Sequence, residues 1–160
     1  MRAATTEQEF RSYVLEAEPV LRRALIAGFG PQRGRDATAD ALAYAWEHWE
    51  KVRLMQNPNG YLYRVGQTSA RRSLRRPRPL FPEPPGDQVP LVEPGLPKAL
   101  DKLSPRQRQA VTLVHGYGWT HKEAADLLGL SSSAVQNHVE RGIAKLRASL
   151  KASIGSVDYV

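Results

Sequence analysis

The chain has 160 residues, 41% of them hydrophobic, with no cysteine, a formal net charge of +7 and a pI near 10. That is enough for one ordinary domain or two very small ones, and apolar enough to fold. Disulfides and cysteine-based zinc sites are excluded; no apolar run is long enough to cross a membrane; and the opening MRAATTEQEF lacks a secretory core, so a cytoplasmic protein with a polyanionic partner is expected.

The first 76 residues read as about four helices. Thr6 to Glu9 fits a capping box, and Phe10, Tyr13, Val14 and Ala17 follow at helical spacing. Pro19 is expected to break or kink the path before Val20, Leu21, Ala24 and Leu25, and Gly28, Gly30 and Pro31 stop it. Asp36 can cap the next helix, with Ala41, Leu42, Ala45, Trp46 and Trp49 inward. NPNG at 57–60 reads as a turn. A last helix from Tyr61 carries Leu62 and Val65 on one side and ends in Arg71, Arg72, Arg75 and Arg76.

Eight of the 12 prolines lie between Pro77 and Pro97. Residues 77–95 are therefore expected to be an extended linker between two helical domains, 1–76 and 96–150. Charge follows the same division: net +5 over residues 1–76, −2 over 77–94 and +4 over 95–160.

In the second lobe Ser104 and Pro105 are an N-cap and a first-turn proline, opening a helix with Ala110, Val111 and Val114 on its apolar face. Gly116 and Gly118 end it. Thr120 to Glu123 is a second capping box, before a helix carrying Ala124, Ala125, Leu127 and Leu128. Gly129 terminates that helix and Ser131 caps the last one, whose inward positions are Val135, Val139, Ile143, Leu146 and Leu150. Residues 151–160, KASIGSVDYV, read as a C-terminal tail.

Two short helices around a Gly turn, the second with a polar outer face, are the pattern of a helix-turn-helix that enters a DNA major groove. Recognition helices read with their N-terminal part, so Ser132, Ser133, Gln136 and Asn137 are candidates for base contacts. Asn and Gln can form two bonds to adenine. Arg141 and Lys145 lie further along and suit phosphate. The arginine run 71–76 would grip a phosphate backbone, or simply be a solvated helix end. The four histidines are scattered, without metal spacing, and no nucleophile–base arrangement or phosphate loop stands out. No metal, cofactor or enzymatic activity is expected.

The stretch LSPRQRQAVTLVHGYGWTHKEAADLLGLSSSAVQNHVERGIAKLR resembles region 4 of bacterial RNA polymerase sigma factors of the compact extracytoplasmic-function branch. The shared features are the L-x-P-R-Q-R start, the Gly-aromatic-Thr lead into the helix pair and the Gly-Leu-Ser turn. FRSYVLEAEPVLRRALIAGFG, RDATADALAYAWEHWEKV and YLYRVGQTSARRSLRR resemble region 2. There Ala39 replaces a common Gln, Tyr61 a common Trp, Thr68 a usual Asn and Arg72 a usual Asp.

The resemblance implies an all-α fold of two small domains and a sigma factor that directs promoter-specific initiation. Its partners would be core RNA polymerase, met at the β′ clamp and β flap, and promoter DNA. Many members are also held by an anti-sigma factor. The protein would be a monomer when free, without membrane insertion. Asp36, Asp40 and Trp46 would meet polymerase. Asn57, Asn59, Tyr61, Arg64, Thr68, Arg71, Arg72, Arg75 and Arg76 would hold the −10 element. Ser132, Ser133, Gln136, Asn137, Arg141 and Lys145 would hold the −35 element.

Two other readings compete. One is a stand-alone helix-turn-helix regulator that binds duplex DNA with dyad symmetry. The other is a sigma-like decoy that binds polymerase without DNA. A linker of roughly 20 residues reaches tens of ångströms at about 3 Å per residue, which suits one monomer on two promoter elements.

Overall fold

A computed structural model describes residues 2–73 and 95–155, and among them every regular element is helical. The chain divides into two compact units. Arg75, Arg76, the proline-rich stretch 77–94 and residues 156–160 lie outside the described residues.

In the first unit α1 spans Arg2–Phe29, α2 Pro31–Glu47, α3 Trp49–Val52 and α4 Pro58–Ser73. α1 is one helix with Pro19 inside it, not a helix broken there. Proline removes one backbone bond, at a cost of about 3 kcal/mol. The carbonyl that loses its helical partner is that of Leu15, a residue 74% exposed. Leu21 and Leu25, both fully buried just beyond, offset that cost at roughly 1.5–3 kcal/mol each. Because α1 starts at Arg2, Thr6 does not cap it: its hydroxyl donates to the Arg2 carbonyl at 2.9 Å.

Gly30, with φ 87°, makes the corner after α1, and Pro31 opens α2. Asp36 therefore lies inside α2, exposed, and is not its cap. α2 crosses α1 closely at Gly34, where a Cβ would lie 2.5 Å from Ile26 backbone atoms. Small residues fill that contact: Ala37, Thr38, Ala41 and Ala45 are buried. Of the two tryptophans expected inside, only Trp49 is (7% exposed); Trp46 is 50% exposed. It sits one residue beyond the Ala37–Ala41–Ala45 line, at the edge of the buried face.

NPNG is not a free turn. Asn57 caps α4, its Oδ1 accepting the Gly60 amide at 3.0 Å, and Pro58 takes the first helical position. α4 then buries Leu62, Tyr63, Gly66 and Ala70 against α1 and α2, while Val65 is half-buried.

In the second unit α5 spans Leu96–Asp101 and α6 Pro105–Val111, with a π-helical turn over Thr112–Gly116. α7 spans His121–Leu128 and α8 Ser132–Gly155, so the first half of the expected tail continues the last helix. The Ser104–Gln107 capping box forms in both directions, at 3.2 Å each way. The π turn shifts the register after α6, so Leu113 is fully buried and Val114 only half. Ala99, Leu103, Val111 and Leu146 form one core, with Leu96, Leu100, Ile143 and Leu150 around it. No helix among the described residues is long and apolar enough to cross a membrane.

Candidate nucleic-acid interface

Local chemistry builds the helix pair of the second unit. Thr120 caps α7 by accepting the Glu123 amide at 3.1 Å. The chain leaves α7 through Gly129 at φ 71°, and the Leu130 amide returns to the Ala125 carbonyl at 3.0 Å. That is a Schellman-type stop, and a side chain at Gly129 would be strained. Ser131 then caps α8, its hydroxyl accepting the Ala134 amide at 3.1 Å. Val135 and Val139 anchor the helix inward.

Ser132, Ser133, Gln136, Asn137, Arg141 and Lys145 are all exposed on α8. Ser133, Asn137 and Arg141 recur every four residues, with Gln136 and Glu140 beside them, so they share one stripe. The first turn of α8 adds free amides and the positive end of the helix dipole to that stripe. Gln136 is held: its Nε2 donates to Glu140 Oε1 at 3.1 Å.

Behind the stripe, Val139, Ile143, Leu146 and Leu150 line an apolar groove of about 590 Å³, with His115 and Arg147 at its rim.

In the first unit the loop from Arg53 to Asn57 leads into α4. Asn57 is exposed and spends its Oδ1 on the α4 cap. Asn59 is half-buried and accepts a hydrogen bond from Tyr13 Oη at 2.7 Å. Burial raises the Tyr13 phenol to about 12, so it remains a donor. Tyr61 is half-buried; its hydroxyl lies 2.9 Å from that of Tyr44, and Lys51 Nζ lies 5.8 Å from its ring centre. His48 stacks on the other ring, Tyr44, at 4.1 Å. Further along α4, Arg64, Thr68, Arg71 and Arg72 are exposed. Thr68 points its hydroxyl back to the Arg64 carbonyl at 3.0 Å. Arg64, Thr68 and Arg71 lie on one face, which is basic at both ends.

Asp36 and Asp40 are exposed on α2, one turn apart. Asp40 Oδ2 accepts a hydrogen bond from Ser69 of α4. Trp46, half-exposed, packs tilted against Phe10, ring centres 4.9 Å apart, and the two line an apolar groove with Val14 and Leu15. Sequence spacing gave no sign of Tyr13, Tyr44 or Ser69 as partners of these residues, since each bond joins different helices. Among the described residues no group of three or more His, Asp or Glu side chains could hold a metal ion.

Residues 95–146 match the family described as Sigma-70, region 4. The chain is similar in structure to the sigma factor RpoE from Bartonella quintana, solved in complex with the anti-sigma factor NepR. The identity is 22%, the match covers 95% of this chain and 99% of that one, and the TM-score is 0.66. It is also similar to CnrH, solved in complex with the cytosolic domain of CnrY, at 25% identity over 94% of this chain and 95% of that one, with TM-score 0.62. No curated protein sequence matches the chain.

Proposed function

We propose, for a chain that is a sigma factor of the extracytoplasmic-function kind by its region 4 and by the fold it shares with both structural relatives, a division of labour between its two units. Bound to core RNA polymerase, the first unit engages the −10 element and the second the −35 element. The exposed polar stripe on the capped helix α8, inside the matched region, carries this reading most directly.

Ser132, Ser133, Gln136 and Asn137 would read base edges in the −35 major groove, with Arg141 and Lys145 on phosphates. The loop before α4, with Asn59 and Tyr61, would hold a base extruded from the melted −10 strand. Extrusion costs a few kcal/mol, which the contacts must offset. Asn57, already spent as a cap, serves that loop mainly by fixing where α4 begins. Arg64, Arg71 and Arg72, with Arg75 and Arg76 beyond the described residues, would neutralise phosphates next to Thr68. Asp36, Asp40 and Trp46 would meet the β′ clamp, and the apolar groove on α8 the β flap. The chain performs no catalysis of its own and works in the cytoplasm, as a monomer until polymerase takes it up. Both structural relatives were solved with a protein partner, one of them named an anti-sigma factor, which supports a partner of that kind here. It would compete for the same exposed apolar surfaces.

The test is transcription by core polymerase lacking any sigma factor, supplemented with this protein, on genomic DNA, with 5′ ends mapped. Discrete start sites sharing paired upstream motifs are expected. Polymerase binding without initiation would indicate the decoy instead. Duplex binding by the protein alone, at sites with dyad symmetry, would indicate the stand-alone regulator.

A further inference from the structure

We infer that Tyr13, on α1 and outside the loop that meets the −10 strand, is a positioning residue that sets which hydrogen-bonding face Asn59 shows to an extruded base. This rests on the −10 reading above and deepens it.

The geometry is specific. Tyr13 and Asn59 are 46 positions apart, yet Tyr13 Oη lies 2.7 Å from Asn59 Oδ1. The Tyr13 ring is fixed from behind by Trp49, 5.2 Å away, which itself meets Phe10 edge-on at 5.2 Å. The ring packing therefore fixes where the phenol oxygen lies, within reach of Asn59. A carboxamide has an acceptor end and a donor end, and a free one can turn over to offer either. In this arrangement Oδ1 faces the phenol, and the end turned away from Tyr13 is the N–H₂ group. A fixed N–H₂ favours a base edge carrying an acceptor and rejects one carrying a donor. Rejection is the larger effect, because it leaves a desolvated donor without a partner.

Asn59 also sits in the first turn of α4, directly after the Asn57 cap and Pro58, so its backbone is held as well as its side chain. The arrangement is a reader with its polarity set by a remote helix.

The test is a promoter library randomised across the −10 element, transcribed by core polymerase with the wild-type protein and with Tyr13→Phe, Asn59→Ala, Asn59→Asp and the Tyr13→Phe/Asn59→Ala pair. Tyr13→Phe keeps the ring packing and removes only the hydroxyl. It is expected to flatten base preference at one −10 position by about three- to tenfold, the range of one hydrogen bond. Polymerase affinity and the −35 profile should not move. Asn59→Ala should flatten the same position, and the double variant should go no further. Asn59→Asp still accepts from Tyr13 but has no N–H₂, and should lose the preference with Tyr13 intact.

A flattened profile with Asn59→Ala but an unchanged one with Tyr13→Phe would overturn the positioning role. So would a uniform loss across all promoters with Tyr13→Phe. An unchanged profile with Asn59→Ala would overturn it too, by removing Asn59 as a reader. No initiation by the wild-type protein would instead sink the sigma-factor mechanism on which it rests.

Discussion

Gln136 and Glu140 are hydrogen-bonded to each other one turn apart on the exposed stripe of α8, at 3.1 Å. In the proposed −35 contact, Gln136 would read a base edge and Glu140 would place a carboxylate near the phosphates. The bond holds the Gln136 carboxamide in place, and in that contact the carboxylate would repel the DNA. Affinity and selectivity are therefore set against each other at this point.

Glu140→Ala is expected to raise affinity for the −35 element by about three- to tenfold, through loss of a like charge near the phosphates. It should also broaden base preference at the position Gln136 contacts. Binding of the polymerase–protein complex to a library varied in the −35 element checks both. Higher affinity with unchanged selectivity would mean that Glu140 acts by charge alone.

Gly142 lies where α8 crosses α6; a Cβ there would be 2.6 Å from Val111 Cγ2 and 3.4 Å from the Gln107 carbonyl. Gly142→Val is expected to destabilise the protein by about 2 kcal/mol or more, since overpacking exceeds the roughly 0.3–0.5 kcal/mol of helix propensity that valine gains over glycine. Gly116→Ala is the control: its Cβ would meet only Thr112 Cγ2, at 3.6 Å, and should be near neutral. Urea unfolding of the two variants gives the comparison.

Asp40 is a hydrogen-bond partner of Ser69 and, in the proposed function, a contact for polymerase. Asp40→Ala is expected to weaken polymerase binding about tenfold, whereas Ser69→Ala should change it less than twofold, because an exposed hydrogen bond contributes only about 1 kcal/mol or less. Equal losses would mean that Asp40 acts only by holding α4. Competition binding to core polymerase separates the two.

The basic face of α4 predicts steep salt dependence. Arg71→Ala should reduce the slope of log affinity against log salt by about 0.7, one single-strand phosphate, and weaken binding evenly across −10 sequences. A sequence-dependent loss would make Arg71 a base reader.

Much of the helix pair was legible in the sequence because its instructions are local. Thr120, Gly129 and Ser131 each act within five residues, and the structure shows each doing so. The first unit was harder. Its α1–α2 contact is so close at Gly34 that alanines, not tryptophans, fill it. A reading that weights large apolar residues therefore puts Trp46 inside, when the inward line is Ala37, Ala41 and Ala45. Thr6 and Asp36 looked like caps because capping residues are also tolerated inside helices, and only the true starts at Arg2 and Pro31 decide between the two. The bond from Tyr13 to Asn59 and the Tyr44–Tyr61 contact depend on how helices cross, which no local pattern encodes.

The most direct test of the central claim is a two-element selection. A promoter library randomised at both the −35 and −10 positions is transcribed by core polymerase with the wild-type protein, Asn137→Ala or Asn59→Ala. Asn137→Ala is expected to flatten only the upstream motif and Asn59→Ala only the downstream one, with polymerase binding intact in both. If Asn137→Ala leaves the upstream motif unchanged, or each variant erases both motifs, the assignment of one promoter element to each unit is contradicted.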